Sequence, residues 1–416
     1  MLDIVGRRPK ILISGASVAG LTLAYWLNRF EIDVTVVERA CGVRSGGYPI
    51  DVRGSAVGVL EKMGLLDAVR AKHIDSRAVT FVDHEGEVIG SIPPYVAMGN
   101  DTGRDVELPR GELTELLYGL VRETEIEFRF NSSVSSLVDE GSHVLVQFDN
   151  GLRECFDVVI GADGLHSWTR RLTFGDEEQF NRFMGYQFCI FSVPNELGLA
   201  HETITYSDPG RTAGLLAVRN SPETFAFLIY SAEKPSPSIK DEGAERAGAT
   251  AVYAGAPWVI PSMLESMSSA KDLYCDTVSQ IRMSNWSTGR VGLVGDAAYA
   301  PSFLSGQGTS LALAGAYVLA GELASKTDPV AAFREYERIF RPFAEANQAL
   351  AEDDASRALF FPRTTEDVAQ RDAMLGLFES GRELEAGGDA AAEAYNLLQL
   401  PEYDLVSSDD DASSSQ

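Results

Sequence analysis

Several chemistries are excluded by what this sequence lacks. Its five histidines (His73, His84, His143, His166 and His201) stand at no metal-ligand spacing, so neither a structural nor a catalytic metal is expected. Its four cysteines (Cys41, Cys155, Cys189 and Cys275) are scattered without a C-x-x-C pair. They read as reduced, mostly packed thiols of a cytosolic protein. Positive charge is scarce: 35 Lys and Arg against 61 Asp and Glu leave a formal net charge of −26. Such a balance keeps the chain soluble and argues against nucleic acid or an anionic membrane as partners. Long apolar runs are missing too. Thr309 to Ala324 comes nearest, but it is shorter than the roughly 20 residues of a membrane span, and it contains Glu322. The first apolar run is too short for a signal peptide, so a cytoplasmic location is expected. No internal repeat is present.

What the chain does have is glycine at informative places. Lys10 to Arg39 reads as strand, tight turn, helix and second strand. Gly15 permits a sharp turn out of the strand. Gly20 lets the helix pack closely on the sheet, and the helix N-terminus, with Ser17, Val18 and Ala19, offers N–H groups to a pyrophosphate. Glu38 closes the second strand 18 residues after Gly20, placed to accept from ribose hydroxyls. This is a dinucleotide-binding βαβ unit, with Ser17 where the middle glycine usually stands. A serine-hydrolase elbow over Gly15–Ala19 fits worse: its last glycine is Ala19, and only one strand can precede it.

Beyond this unit, 41–54 is glycine-rich and unlike a regular element, with Asp51 and Arg53 beside the expected phosphate site. Residues 55–72 have helical spacing broken at Gly64, and 78–92 alternate as a hairpin. Val106 to Arg110 leads into a helix. Asp157 to Gly164 is an apolar strand ending in a glycine-bracketed Asp163, at the strand end where ligands bind. From about Phe180 to Tyr274 short strands rich in aromatics predict an antiparallel sheet. Arg290 to Ala298 is another strand, ending in Gly295-Asp296. Pro301 and Gly306-Gln307-Gly308 then introduce a helix of small residues. The acidic run from about Pro401 is expected to be disordered. The expected divisions are a nucleotide domain in three parts (1–75, 106–178 and 279–345), a hairpin (76–105), a sheet domain (179–278), C-terminal helices (346–400) and a tail (401–416).

The Gly15–Gly20 unit with Glu38, the Gly161-Ala162-Asp163-Gly164 segment, and Gly295-Asp296 with Pro301 and Gly306 to Gly308 follow one another in an order that resembles the single-component FAD-dependent aromatic hydroxylases. This family includes para-hydroxybenzoate hydroxylase and the tetracycline-inactivating monooxygenases. The resemblance implies an α/β fold: a Rossmann-like FAD-binding domain, an antiparallel-sheet substrate domain and C-terminal helices. It implies FAD, with NADPH or NADH as electron donor, and a small aromatic substrate with O2, in a monomer or homodimer. Ser17 and Ala19 would hold the pyrophosphate, Glu38 the adenosine ribose, and Arg39 and Val134 the adenine. Arg110 would reach the FAD chain, and Asp163 would serve both FAD and the nicotinamide cofactor. Asp296 would bind near the ribityl chain, and Pro301 with Gly306 to Gly308 would border the isoalloxazine ring.

In this reading the cofactor carries the hard step. Oxygen adds at the flavin C4a position, and the outer oxygen of the hydroperoxide passes to an electron-rich substrate, which suits secondary metabolism or antibiotic modification. Hydroxylation, epoxidation and Baeyer–Villiger insertion stay open. Gln187, Leu215, Phe225 and Phe227 are the candidate substrate residues. Two alternatives share the fold. One is a flavin-dependent halogenase, since Ala256-Pro257-Trp258-Val259-Ile260-Pro261 matches W-x-W-x-I-P apart from the first tryptophan. The other is an FAD-dependent reductase or dehydrogenase.

Overall fold

A computed structural model describes residues 8–404, apart from 45, 95–102, 220, 236–240 and 380–387. In chain order the elements are β1 (Lys10–Ser14), α1 (Val18–Arg29), β2 (Asp33–Glu38), β3 (Pro49–Val52), α2 (Ser55–Lys62), α3 (Leu66–Ala71), β4 (Ala78–Val82), β5 (Val88–Ile92), β6 (Val106–Pro109) and α4 (Arg110–Val121). Next come β7 (Glu127–Phe130), β8 (Val134–Asp139), β9 (Val144–Phe148), β10 (Arg153–Phe156), β11 (Val158–Gly161) and α5 (Trp168–Phe174). The middle of the chain holds β12 (Asn181–Pro194), β13 (Glu202–Asp208), β14 (Arg211–Ala217), β15 (Glu223–Ser231), α6 (Glu242–Val252), α7 (Ile260–Ser269) and β16 (Tyr274–Ile281). The last part holds β17 (Ser287–Thr288), β18 (Val291–Leu293), α8 (Asp296–Tyr299), α9 (Gly308–Ser325), α10 (Pro329–Ala349), α11 (Asp354–Phe360), α12 (Thr365–Glu379) and α13 (Gly388–Asn396).

The nucleotide unit forms a sheet in the order β17-β18-β11-β1-β2-β7, parallel except at β17. Ile11, Leu12 and Ile13 of β1 have no exposed surface, as a central strand covered on both faces requires. Leu21, Leu23, Ala24 and Leu27 of α1 are equally buried. The helix of small residues, α9, is enclosed by α1, α2 and α10. Its composition follows from that position. A Cβ on Gly315 would lie 2.0 Å from the Tyr299 hydroxyl, and one on Gly321 would lie 2.2 Å from the ring of Tyr403.

A seven-stranded sheet, β16-β12-β15-β14-β13-β4-β5, forms the second layer. It is mixed rather than wholly antiparallel, because β4 of the 78–92 hairpin joins β13 in parallel. It also extends past residue 278 through β16, and α6 and α7 cover one face. These helices lie inside the stretch read as strands. The 41–54 stretch likewise contains a strand, β3, paired with β6.

Two further expectations are corrected. Cys189 and Cys275 are bonded as a disulfide, and Cys41 and Cys155 are exposed rather than packed. The two bonded residues are 86 apart in sequence. Pairing of β12 with β16 makes them direct partners, an adjacency that sequence spacing does not display.

The start of the acidic tail is docked. Tyr317 donates to the Pro401 carbonyl at 2.6 Å, Tyr403 donates to Glu322 at 2.9 Å, and Lys62 pairs with Glu402 at 2.8 Å. Residues 405–416 lie outside the described residues. Glu322 is thereby a buried acid with partners, Tyr403 and Lys326, and α9 is a core helix. Tyr403→Ala should cost about 2–3 kcal/mol, somewhat less than a fully buried aromatic because the ring is half-buried. Urea unfolding of the variant beside the parent chain checks this value.

Candidate active site

The carboxyl ends of β1, β11 and β18 meet at one end of the parallel sheet. Gly15 has φ +111°, and a Cβ there would lie 2.6 Å from the Ala162 carbonyl oxygen. A Cβ on Gly20 would lie 1.9 Å from the Gly15 oxygen. Gly295, at φ +67°, meets Ala19, whose Cβ is 3.0 Å from where its own would be. The missing side chains of these glycines therefore set how closely the three loops approach. Ser17 caps α1: its hydroxyl accepts from Gly20 N–H at 3.3 Å and donates to the Ala162 carbonyl at 2.9 Å. That hydroxyl is thus engaged within the chain, and the N-terminal N–H groups of α1 are what remain for an anion.

Glu38 accepts from the backbone of Ala16 at 3.0 Å and of Ala40 at 2.9 Å. Each carboxylate oxygen keeps a further acceptor position for a ribose hydroxyl. Val134, at the start of β8, and Arg39 line the same end of the cavity. Arg110 opens α4, with its backbone N–H on the Tyr48 carbonyl at 3.1 Å. Its side chain runs along Gly47, where a Cβ would come within 3.3 Å.

Arg53 and Asp163 line the cavity and also hold partners of their own, and Gln307 is buried outside its lining. Arg53 is buried, paired with Asp51 at 2.8 Å and bonded to the Tyr395 hydroxyl at 3.2 Å. It ties β3 to α13 instead of standing free for a phosphate. Asp163 accepts from the Ser167 hydroxyl and from both the N–H and the hydroxyl of Thr169. It fixes the start of α5, which accounts for its conformation without a nucleotide. Gln307 is fully buried, and neither amide atom is bonded among the described residues. Pro301, Gly306 and Gly308 do line the cavity.

Asp296 lies deep in the molecule with its side chain open to the cavity. Remoteness from bulk water raises its pKa, against the pull of Arg110. Arg170 stands in the first turn of α5, after the end of β11. It is fully buried and joins two loops, donating to the Ala297 carbonyl at 3.0 Å, the Leu165 carbonyl at 2.7 Å and Glu177 at 3.0 Å.

Along the seven-stranded sheet, side chains alternate between faces. Phe188 is on the cavity face, stacked on Phe303 at 4.8 Å. Through β-pairing, Phe225 and Phe227 share its face. Gln187 and Leu215 do not. Gln187 accepts from Tyr230 at 3.0 Å, and Leu215 packs among Ala213, Leu228 and Ile260 under α6 and α7. Trp258 of the halogenase-like segment also belongs to that far face, near Tyr206.

The cavity face carries a polar chain that sequence reading missed, because its members come from three separate segments. Tyr274 donates to Asp276 at 2.7 Å, His166 bonds Asp276 at 3.0 Å, and its other nitrogen bonds Glu177 at 2.9 Å. Hydrogen bonds to Asp276 and Glu177 push the His166 pKa up to about 9.

These residues enclose one continuous cavity of about 2550 Å³. A drug-sized ligand takes a site of roughly 300–1,000 Å³, so this space accepts a dinucleotide and a substrate together. Arg39, Arg44 and Arg110 line it, and their side chains enter no ion pair among the described residues. In a chain of net charge −26, three such cations in one cavity match a pyrophosphate-bearing ligand. The residues present therefore fit FAD.

Comparison with known proteins agrees. Residues 8–351 match the family described as "FAD binding domain". An uncharacterized Mycobacterium tuberculosis protein is 45% identical over 347 residues, covering 83% of this chain and 93% of that protein. A flavin-dependent monooxygenase of an unknown prokaryotic organism is 37% identical over 396 residues, covering 95% of this chain and 99% of that protein. The crystal structure of tetracycline destructase Tet(55) superimposes with a TM-score of 0.80 at 35% identity, covering 95% of this chain and 99% of that one.

His166 makes stability depend on pH. Its pKa is about 9 in the fold and about 6.5 in an unfolded chain. The stabilisation from its protonated form is complete below the lower value and is lost as pH rises through the upper one. Tm should fall across this window, and His166→Gln should lack that component of the fall. Equal Tm–pH slopes in the two proteins would show that the chain of hydrogen bonds adds nothing to stability.

Proposed function

We propose that this chain, which belongs to the FAD-binding-domain family and is an FAD-dependent monooxygenase, draws electrons from NADPH or NADH to place one atom of O2 on an aromatic or polycyclic small molecule. The observation that carries the reading is the cavity itself: large enough for two ligands and lined both by Arg39, Arg44 and Arg110 and by the aromatic rings of Tyr48, Phe188, Tyr274 and Phe303. Bound there, reduced FAD supplies the activated oxygen.

The chain's own residues have four tasks. Arg110, Arg39 and Arg44, with the N-terminus of α1, neutralise the pyrophosphate. Glu38 accepts from ribose hydroxyls, and Asp296 accepts from the polar chain of the cofactor. The N-terminus of α9 at Gly308 offsets negative charge near the ring, worth roughly 0.3–2 kcal/mol. Phe188, Phe303 and Tyr48 hold a flat substrate and exclude water. Likeness to a tetracycline destructase supports a polycyclic substrate and a role in secondary metabolism or antibiotic modification. The protein works in the cytoplasm as a monomer or homodimer.

The test is NADPH consumption in air by the purified yellow protein, with and without phenols and polycyclic aromatics. Strong stimulation by one class, with a product heavier by one oxygen, is expected. No consumption under any condition would sink the self-sufficient monooxygenase. Arg110→Ala should weaken FAD about 10- to 100-fold, the range set by loss of a charge-assisted hydrogen bond. Fluorescence titration of the apoprotein with FAD measures it.

A further inference from the structure

We infer that Tyr274 determines specificity by meeting the substrate as a hydrogen-bond acceptor, so that the cavity selects rings bearing an O–H or N–H donor. The inference rests on the substrate site of the monooxygenase reading. Tyr274 opens β16, is 36% exposed, and lines the cavity. Its ring lies 5.8 Å from Phe188 and 6.1 Å from Tyr48, beside the Phe188–Phe303 stack. A flat ligand in this aromatic enclosure is therefore within reach of the Tyr274 hydroxyl.

The polarity of that hydroxyl is set from behind. A phenol has one proton to give and two acceptor positions. Tyr274 gives its proton to Oδ2 of Asp276 at 2.7 Å. Asp276 is buried, and its other oxygen accepts from the backbone of Thr277 at 2.7 Å and bonds Nε2 of His166 at 3.0 Å. Nδ1 of His166 bonds Glu177 at 2.9 Å, and Glu177 also accepts from Arg170 and Asn181. Ionised carboxylates accept only, so His166 between two of them serves as a double donor. Its raised pKa agrees with that state.

Asp276 can then only accept, and Tyr274 has no choice but to donate backwards. No described residue donates to Tyr274, so its oxygen is left to accept from a ligand in the cavity. Among the described residues, Arg110 and Tyr48 are the other charged or titratable groups that act on it. A ring without a donor would leave the Tyr274 oxygen desolvated and unpaired, which is how polar sites discriminate strongly. Asp276 and His166 act as positioning residues for this one atom.

The test uses the FAD-loaded enzyme and matched pairs of phenols and their methyl ethers with one to four fused rings, 2-naphthol and 2-methoxynaphthalene among them. Binding is measured by calorimetry without reductant. In the parent enzyme the phenol of a bound pair should be at least roughly tenfold tighter than its ether, the scale of one buried hydrogen bond. Tyr274→Phe should bring the two close to equal. Asp276→Asn gives the sharper result. His166 holds the amide oxygen, the amide N–H2 then donates to Tyr274, and the freed Tyr274 proton points at the ligand. Preference should shift toward the ether, an inversion that loss of structure alone does not produce.

Equal binding of phenol and ether by the parent, an unchanged ratio in Tyr274→Phe, an unchanged ratio in Asp276→Asn, or no bound pair at all would each overturn the inference. FAD content and NADPH oxidation of the parent, read on the same samples, judge the monooxygenase reading separately. Their failure would remove that reading, whereas their success with no phenol preference would remove only this one.

Discussion

The rest of the molecule depends on three close approaches made at glycines, two of them backbone against backbone and the third backbone against the Ala19 methyl. Gly15 lies against Ala162, Gly20 against Gly15, and Gly295 against the first turn of α1. A methyl group at any of them would push apart the ends of β1, β11 and β18. Held this closely, those three loops leave their N–H groups and acids facing one space rather than one another. The hydroxyl of Ser17, bonded to the Ala162 carbonyl, adds a hydrogen bond to the same junction. Glycine is required here by distance and by positive φ at Gly15 and Gly295, and the cost in chain entropy is offset by the buried strands and helices behind.

Electrostatics divides the arginines into two kinds. Arg53 and Arg170 are buried and paired, the first with Asp51 and Tyr395, the second with Glu177 and two carbonyls. Removing a partner from either would strand a charge in the interior, so they hold segments together. Arg39, Arg44 and Arg110 face the cavity without ion pairs among the described residues. Carboxylates such as Glu38 and Asp296 line the same cavity, but none is paired with these three among the described residues, which leaves their guanidinium groups available to a phosphate ligand.

The large sheet serves two interiors at once. Its far face is packed under α6 and α7 by Leu215, Leu228 and their neighbours, closing a core of its own. Its near face carries Phe188 and Asp276, the wall of the cavity. Because strand side chains alternate, shifting one residue along β12 exchanges a cavity residue for a core residue. The Cys189–Cys275 disulfide joins β12 to β16 one residue from Phe188 and Asp276 on each strand, which ties the register of both walls together.

Local order was legible in the sequence. The βαβ unit, the turn at Gly64, the hairpin over 78–92, and the strands ending at Asp163 and Asp296 all follow from periodicity and glycine placement, which act over a few neighbours. Spacing also placed Glu38 at the cofactor, whereas the roles expected of Arg110 and Pro301 came from the family resemblance; all three line the cavity. Tertiary structure alone decided which strand face meets the cavity, sending Gln187 and Leu215 to the opposite side from Phe188. It also decided that Asp163 and Arg53, while lining the cavity, carry internal partners, that Cys189 meets Cys275, and that Tyr403 docks on α9. The chain from Tyr274 through Asp276 and His166 to Glu177 belongs with these. Each depends on pairing between segments far apart in the chain, and a contact of that kind leaves no spacing to read until the strands are in register.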